Sequence, residues 1–269
     1  MKRLTSLDEL NLIVKNVFRK GCLTNNFILL DAYGAFINEN KLWVISDENN
    51  AAFLLDKEDF FQVFYYLNNL NKAFELSVDK PVVMEILYRG LENKPQNIID
   101  YWVKQGFNEH LSRDNMISSW IRVAIPDTLY ESMQIRYATS EKELLFTKEL
   151  FDKALDKYTG DQLTEAELRS FMTQKNLLCA YFREELAGVL QFEIKNTVVW
   201  LGHIAIHPDF RGKGIANALL NSYITLNRAD ENTRYALWVI PDNLPAVNLY
   251  RKFGFFYGNK STVSLLKNA

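Results

Sequence analysis

Between residues 200 and 255 the chain sets out an apolar strand, a basic glycine-containing loop and a helix in immediate succession. The run Trp200-Leu201-Gly202-His203-Ile204-Ala205-Ile206 reads as a buried strand and stops at His207-Pro208-Asp209. Arg211-Gly212-Lys213-Gly214-Ile215-Ala216 follows. Leu219, Leu220, Tyr223 and Leu226 then recur at helical spacing, so the loop opens a helix. The first N–H groups of a helix have no carbonyl to bind and point back at the preceding loop. With the positive end of the helix dipole behind them, they make an anion site. Gly212 and Gly214 let backbone come close to a phosphate, while Arg211 and Lys213 add positive charge. The stretch reads as a pyrophosphate cradle.

Spacing narrows the ligand. A dinucleotide fingerprint G-x-G-x-x-G would need a small residue at 217, where Asn217 stands, and a P-loop would need Ser or Thr after Lys213, where Gly214 stands. The pattern present is R-x-x-G-x-A. A second pattern follows the apolar strand Tyr235-Ala236-Leu237-Trp238-Val239-Ile240. It runs Asn243-Leu244-Pro245-Ala246-Val247-Asn248-Leu249-Tyr250-Arg251-Lys252-Phe253-Gly254-Phe255. In these two motifs the chain resembles the GNAT (N-acetyltransferase) superfamily, whose signatures are Q/R-x-x-G-x-G/A and N-x-x-A-x-x-x-Y-x-x-x-G-F. The resemblance covers residues 131–269, about half the chain.

The resemblance implies a mixed α/β (α+β) GNAT fold, with a central splayed sheet flanked by helices, and an acetyl-CoA cosubstrate. It assigns the cofactor contacts to the backbone of Ile204, Ala205 and Ile206, to the loop Arg211, Gly212, Lys213, Gly214, Ile215 and Ala216, and to Asn243, which opens the second motif and orders its turn. Tyr250 takes the place of the family's general acid, which protonates the departing thiolate. A phenol with a pKa near ~10 arrives protonated at neutral pH. For the base that takes the amine proton, Glu193, His203 and a chain of waters all stay open. Cys179 has no basic neighbour in sequence to make it a nucleophile.

At 269 residues and 48% hydrophobic content the chain can fill two cores. A net charge of −2 argues against nucleic acid as a partner held by overall charge. No apolar run reaches the ~18 residues of a membrane span, and the N-terminus has no signal-like apolar region. Two cysteines and three scattered histidines offer neither a disulfide framework nor metal-ligand spacing. The expectation is a cytoplasmic protein without a metal, monomer or homodimer.

The second half is expected at 129–269 after a boundary at 126–133, with a strand at 134–138. Capping boxes stand at Ser140-Glu141-Lys142-Glu143 and Thr164-Glu165-Ala166-Glu167. The first helix should bury Leu144, Phe151, Leu155 and Tyr158, and a hairpin should turn across Glu184-Glu185. The first half, 1–128, opens with a capping box at Ser6-Leu7-Asp8-Glu9. Strands are expected at 27–30, 41–46, 51–55 and 81–88, and an aromatic-rich helix at 58–70. Residues 95–107 end in the same Gly-Phe pair as the second motif, with Trp102 where Tyr250 stands, and a strand is expected at 118–124. This half lacks the R-x-x-G-x-A pattern, so it reads as a degenerate GNAT-like copy in a tandem arrangement.

The leading expectation is transfer of acetyl from acetyl-CoA to an amine-bearing small molecule or protein. Two others stay open: a CoA-binding sensor or scaffold without turnover, and a tandem transferase of the mycothiol-synthase or peptidoglycan aminoacyl-transferase type.

Overall fold

The computed structural model describes residues 1–119, 132–160, 162–228 and 233–269. The chain forms two units, residues 1–112 together with 260–269, and residues 113–259. The boundary expected at 126–133 falls largely on residues outside those described.

The first unit opens with β1 (Lys2–Arg3) and α1 (Leu7–Val17). Ser6 caps α1 by accepting from the Glu9 N–H at 3.2 Å, but the Glu9 carboxylate turns to Lys2 and Thr5, so the capping box is one-sided. Next come β2 (Leu23–Thr24), a 3-10 turn (Leu30–Ala32) and α2 (Tyr33–Asn38). Residues 27–30 are not the expected strand. The Asn26 side chain takes the Ile28 N–H and carbonyl into a local turn, which leaves no ladder to join. Strands β3 (Leu42–Ser46), β4 (Ala51–Asp56), β5 (Phe61–Leu67) and β6 (Val82–Arg89) follow, then α3 (Gln96–Val103) and β7 (Asn108–Ser118).

The helix expected at 58–70 is the strand β5. Phe61, Val63, Tyr65 and Leu67 face the core beside α3, while Phe64 and Tyr66 face the core beside α1 and α2. A strand buried on both faces has no polar side to betray its period of two, and its aromatic pairs mimic a helical stripe. The strand expected at 118–124 begins earlier, as β7, and 120–124 lie outside the described residues.

In the second unit the elements are β8 (Met133–Tyr137), α4 (Glu141–Ala154), α5 (Glu165–Thr173), β9 (Leu177–Phe182), β10 (Glu185–Lys195) and β11 (Val198–Ile206). A 3-10 turn (Pro208–Phe210), α6 (Ile215–Asn227), β12 (Arg234–Val239), α7 (Leu244–Lys252) and β13 (Phe256–Lys267) complete the chain. Both capping boxes are complete, at Ser140/Glu143 and Thr164/Glu167. Helix α4 buries Leu144, Leu150 and Phe151; Leu155 is its C-cap and Tyr158 lies past its end, so neither belongs to the helical face expected for them. The β9–β10 hairpin turns on Arg183 (φ 49°) and Glu184 (φ 70°), the two positive φ values of the tightest hairpin turn.

The first unit's strands run β1-β3-β4-β5-β6-β13, and the second unit's run β7-β12-β11-β10-β9-β8. In each, the sixth strand comes from the other half of the sequence: residues 260–267 pair with β6, and residues 114–118 pair with β12. Among the described residues each unit holds one parallel pair, β5 with β6 and β11 with β12. The second unit crosses between its parallel strands through α6, whereas residues 68–81 of the first unit contain no helix. The repeated Gly-Phe pair ends α3 and α7 alike. Gly106 and Gly254 sit at φ 91° and 89°, and the N–H of Phe107 and of Phe255 bonds back to Trp102 and Tyr250 respectively.

Candidate active site

Strands β11 and β12 pair only where 198–201 meet 234–237; beyond that both run on unpaired with each other, to Ile206 and Val239. The fork coincides with a bulge. Gln191 pairs with His203 but Phe192 pairs with Leu201, so Gly202 is the extra residue. A Cβ at Gly202 would stand 1.9 Å from Gln191 Oε1, and the buried Gln191 carboxamide fills the space that the glycine leaves. The extra residue switches the faces. Val199, Leu201, Ile204 and Ile206 pack on the α6–α7 side, while Ala205 packs on the α4–α5 side and His203 meets Phe151 there, edge to face at 5.3 Å. His207 N–H donates to Ala187 of β10 at 2.9 Å, so by strand alternation the amides of Ile204 and Ile206 face the fork.

Below the open end lies the loop. Gly212 (φ 77°) and Gly214 (φ 80°) take left-handed backbone, and a Cβ on Gly212 would meet nothing within 4 Å. Gly214 is the N-cap of α6 and brings no side chain to it; Ala218 is the first residue whose N–H finds a helical carbonyl, Gly214 O at 3.1 Å. The amides of Ile215, Ala216 and Asn217 therefore present an uncapped helix start. Arg211 Nε donates to Ile206 O at 3.4 Å. Lys213 Nζ donates to Asp209 O at 2.9 Å and lies over the rings of Phe210 and Phe182. Both cations brace the loop whose charge they supply.

Tyr250 projects from α7 into the α6–α7 core, edge to face with Phe255 at 5.9 Å. It is 4% exposed, and desolvation pushes its phenol well above the usual range. Among the described residues no group hydrogen-bonds its hydroxyl. Asn243 caps α7, accepting from the Ala246 N–H at 3.3 Å. Glu193 is not at the open end: it stands opposite Trp200 in the paired part and is bridged to Lys195 at 2.8 Å. His203 and Tyr250 thus lie on opposite faces of the forked strands. Gln191 is the residue that sequence reasoning passed over; its one signal was a polar side chain inside the apolar run 186–194.

Away from the fork, Cys179 is buried and desolvation pushes its thiol up to about 12, which leaves it protonated. Glu143 is also buried. It accepts from the Thr139 and Ser140 N–H groups and from Tyr181 Oη, and pairs with Arg136 at 2.9 Å. Among the described residues no cluster of His, Cys, Asp or Glu gathers as for a metal, and no helix is long and apolar enough to cross a membrane.

An apolar strand that forks from its parallel neighbour above an uncapped helix start defines a class, and the comparisons agree with it. Residues 140–255 match the Acetyltransferase (GNAT) family. An uncharacterized N-acetyltransferase from Methanocaldococcus jannaschii is 36% identical over 61 residues. That stretch is 23% of this chain and spans only 27% of the relative's length. Among solved structures, a GCN5-related N-acetyltransferase from Sphaerobacter thermophilus superposes with a TM-score of 0.58 at 15% identity, over 81% of this chain and 76% of that one. A tandem GNAT protein from the clavulanic acid biosynthesis pathway gives 0.51 at 12% identity, over 99% and 90%. At such identities the likeness is one of fold. It extends over both units, although the first has no helix between its parallel strands.

Proposed function

We propose that the second unit transfers an acetyl group from acetyl-CoA to a primary amine by direct attack. The observation that carries this reading is the start of α6 at Gly214, uncapped and glycine-flanked beneath the β11–β12 fork. A pyrophosphate fits there because three successive amides and a helix dipole offer it donors without any side chain to displace. Arg211 and Lys213 are close enough in sequence to turn from the loop to the phosphates. The fork-facing amides of Ile204 and Ile206 supply donors for a pantetheine arm and for the thioester oxygen, and preset donors of that kind are a large lever on rate.

When bound, acetyl-CoA supplies an activated acyl carbon. The amine nitrogen forms the new bond to it and loses a proton, while the sulfur leaves and must gain one. Tyr250 is held protonated by its burial, and its unpartnered hydroxyl is free to donate to that sulfur. His203, on the opposite face, takes the amine proton directly or through water. The opposed faces give donor and acceptor separate approaches to the fork. Glu193, tied to Lys195 at the closed end, is the weaker candidate for base.

The test is thiol release over a panel of amines with wild type and Tyr250→Phe. The variant should bind acetyl-CoA with unchanged affinity and turn over about 100-fold more slowly, the scale of one general acid. Full turnover by the variant would remove Tyr250 from the mechanism. Acetyl-CoA binding without thiol release on any amine or protein acceptor would favour the sensor reading.

A further inference from the structure

The parallel strands of the first unit fork as well. Strands β5 and β6 pair only at Phe61–Gln62 with Val82–Val83 and then part. This fork is filled. One edge of β5 is taken by β4 from Phe61 to Tyr66, so β2, which pairs with Tyr66 and Leu67, lies along the edge that β6 has left. From β2 the Asn25 side chain reaches into the gap. Its Oδ1 accepts from the Tyr65 N–H at 2.7 Å, and its Nδ2 donates to Val63 O on β5 at 2.9 Å and to Glu85 O on β6 at 3.1 Å. Thr24 Oγ1 donates to Tyr65 O at 2.6 Å. Asn26 ties the segment's far end, donating to Tyr66 Oη and accepting from Tyr33 Oη.

A primary carboxamide has one acceptor and two donor hydrogens, and here both kinds are used across the gap. Asn25 is 6% exposed, so the backbone groups it satisfies have little water to turn to. It does between β5 and β6 what a strand's peptide groups would do, and what the amides of a pantetheine arm would do between β11 and β12. The crossover that leaves β5 has no helix, so no helix start faces this fork.

We propose that residues 23–26 are a built-in occupant of the first unit's fork, standing where an amide-bearing acyl donor would lie, so that the chain carries a single donor site. The comparison with a donor rests on the reading of the second unit given above; the filled fork does not.

The experiment is amide-resolved hydrogen exchange on the intact chain, with and without acetyl-CoA, together with calorimetric stoichiometry. The Tyr65 amide should exchange slowly without ligand and be unmoved by acetyl-CoA, while Ile204 or Ile206 slows on its addition at one acetyl-CoA per chain. Asn25→Ala should speed Tyr65 exchange by about tenfold or more, the equivalent of one hydrogen bond lost. The wild-type readings stand if that variant does not fold. A Tyr65 amide that exchanges fast until acetyl-CoA is added, or two acetyl-CoA per chain, would overturn the inference. A slow Tyr65 amide with no acetyl-CoA bound anywhere would overturn the donor reading of the second unit and leave the filled fork supported.

Discussion

Tyr250 and Glu143 are both buried ionisable groups whose surroundings move them to opposite ends of their range. For Tyr250 desolvation acts alone and raises the phenol, so the proposed acid stays protonated well past neutrality. Turnover should therefore rise with pH as the acceptor amine deprotonates and show no loss belonging to Tyr250 below pH ~10. A falling limb near pH 8 that disappears in Tyr250→Phe would contradict this. For Glu143 desolvation again raises the pKa, but the N–H groups of Thr139 and Ser140 and the hydroxyls of Ser140 and Tyr181 outweigh it and hold the carboxyl below its usual range. A depressed carboxyl contributes stability that is present above the unfolded pKa of about 4.3 and is lost as pH falls through the folded one. Urea titrations should show the wild type losing this increment on acidification below about pH 4.5. Glu143→Ala should cost about 2 kcal/mol at pH 7, since it leaves the Thr139 and Ser140 N–H groups and the Tyr181 hydroxyl without their acceptor. A neutral substitution would make the cluster ornamental.

At the level of elements, what could be read from the sequence was local. The two capping boxes, the β9–β10 hairpin (its turn at 183–184, one residue before the expected Glu184-Glu185) and the loop that opens α6 are each dictated by residues within a turn or two of the chain. What could not be read depends on partners distant in sequence. β5 passed for a helix because both its faces are buried. Residues 27–30 passed for a strand because their apolar character says nothing of the Asn26 side chain that bends them away. The bulge was hidden for the same reason, since nothing next to Gly202 announces Gln191 lying over it. Gly202→Val would drive a branched side chain into that carboxamide, and straightening β11 to relieve it would turn Ile204 and Ile206 from their present face. We expect acetyl-CoA affinity to fall about tenfold, the equivalent of one hydrogen bond, with the fold retained by circular dichroism. Unchanged affinity would show that the bulge does not set the fork.

Over the whole chain, the likeness of the two units in fold was visible only as an echoed Gly-Phe pair, which the structure explains as the same helix ending used twice. The exchange of sixth strands left no mark, because a strand's sequence does not name the edge it will pair with. It has a testable consequence. Residues 260–267 pair along the length of β6 and bury Val263 and Leu265 in the first unit's core. Deleting 260–269 should unfold that unit as a unit, seen as lost exchange protection across β4, β5 and β6. Fraying confined to the new terminus would contradict the assignment. The central claim, that the β11–β12 fork and the α6 start hold acetyl-CoA, is met most directly by calorimetric titration of the intact chain with acetyl-CoA, set beside Arg211→Ala. We predict saturable binding at one per chain, weakened about tenfold in the variant by the loss of a charged hydrogen bond. No heat of binding in a folded wild type, or binding that Arg211→Ala leaves untouched, would contradict it.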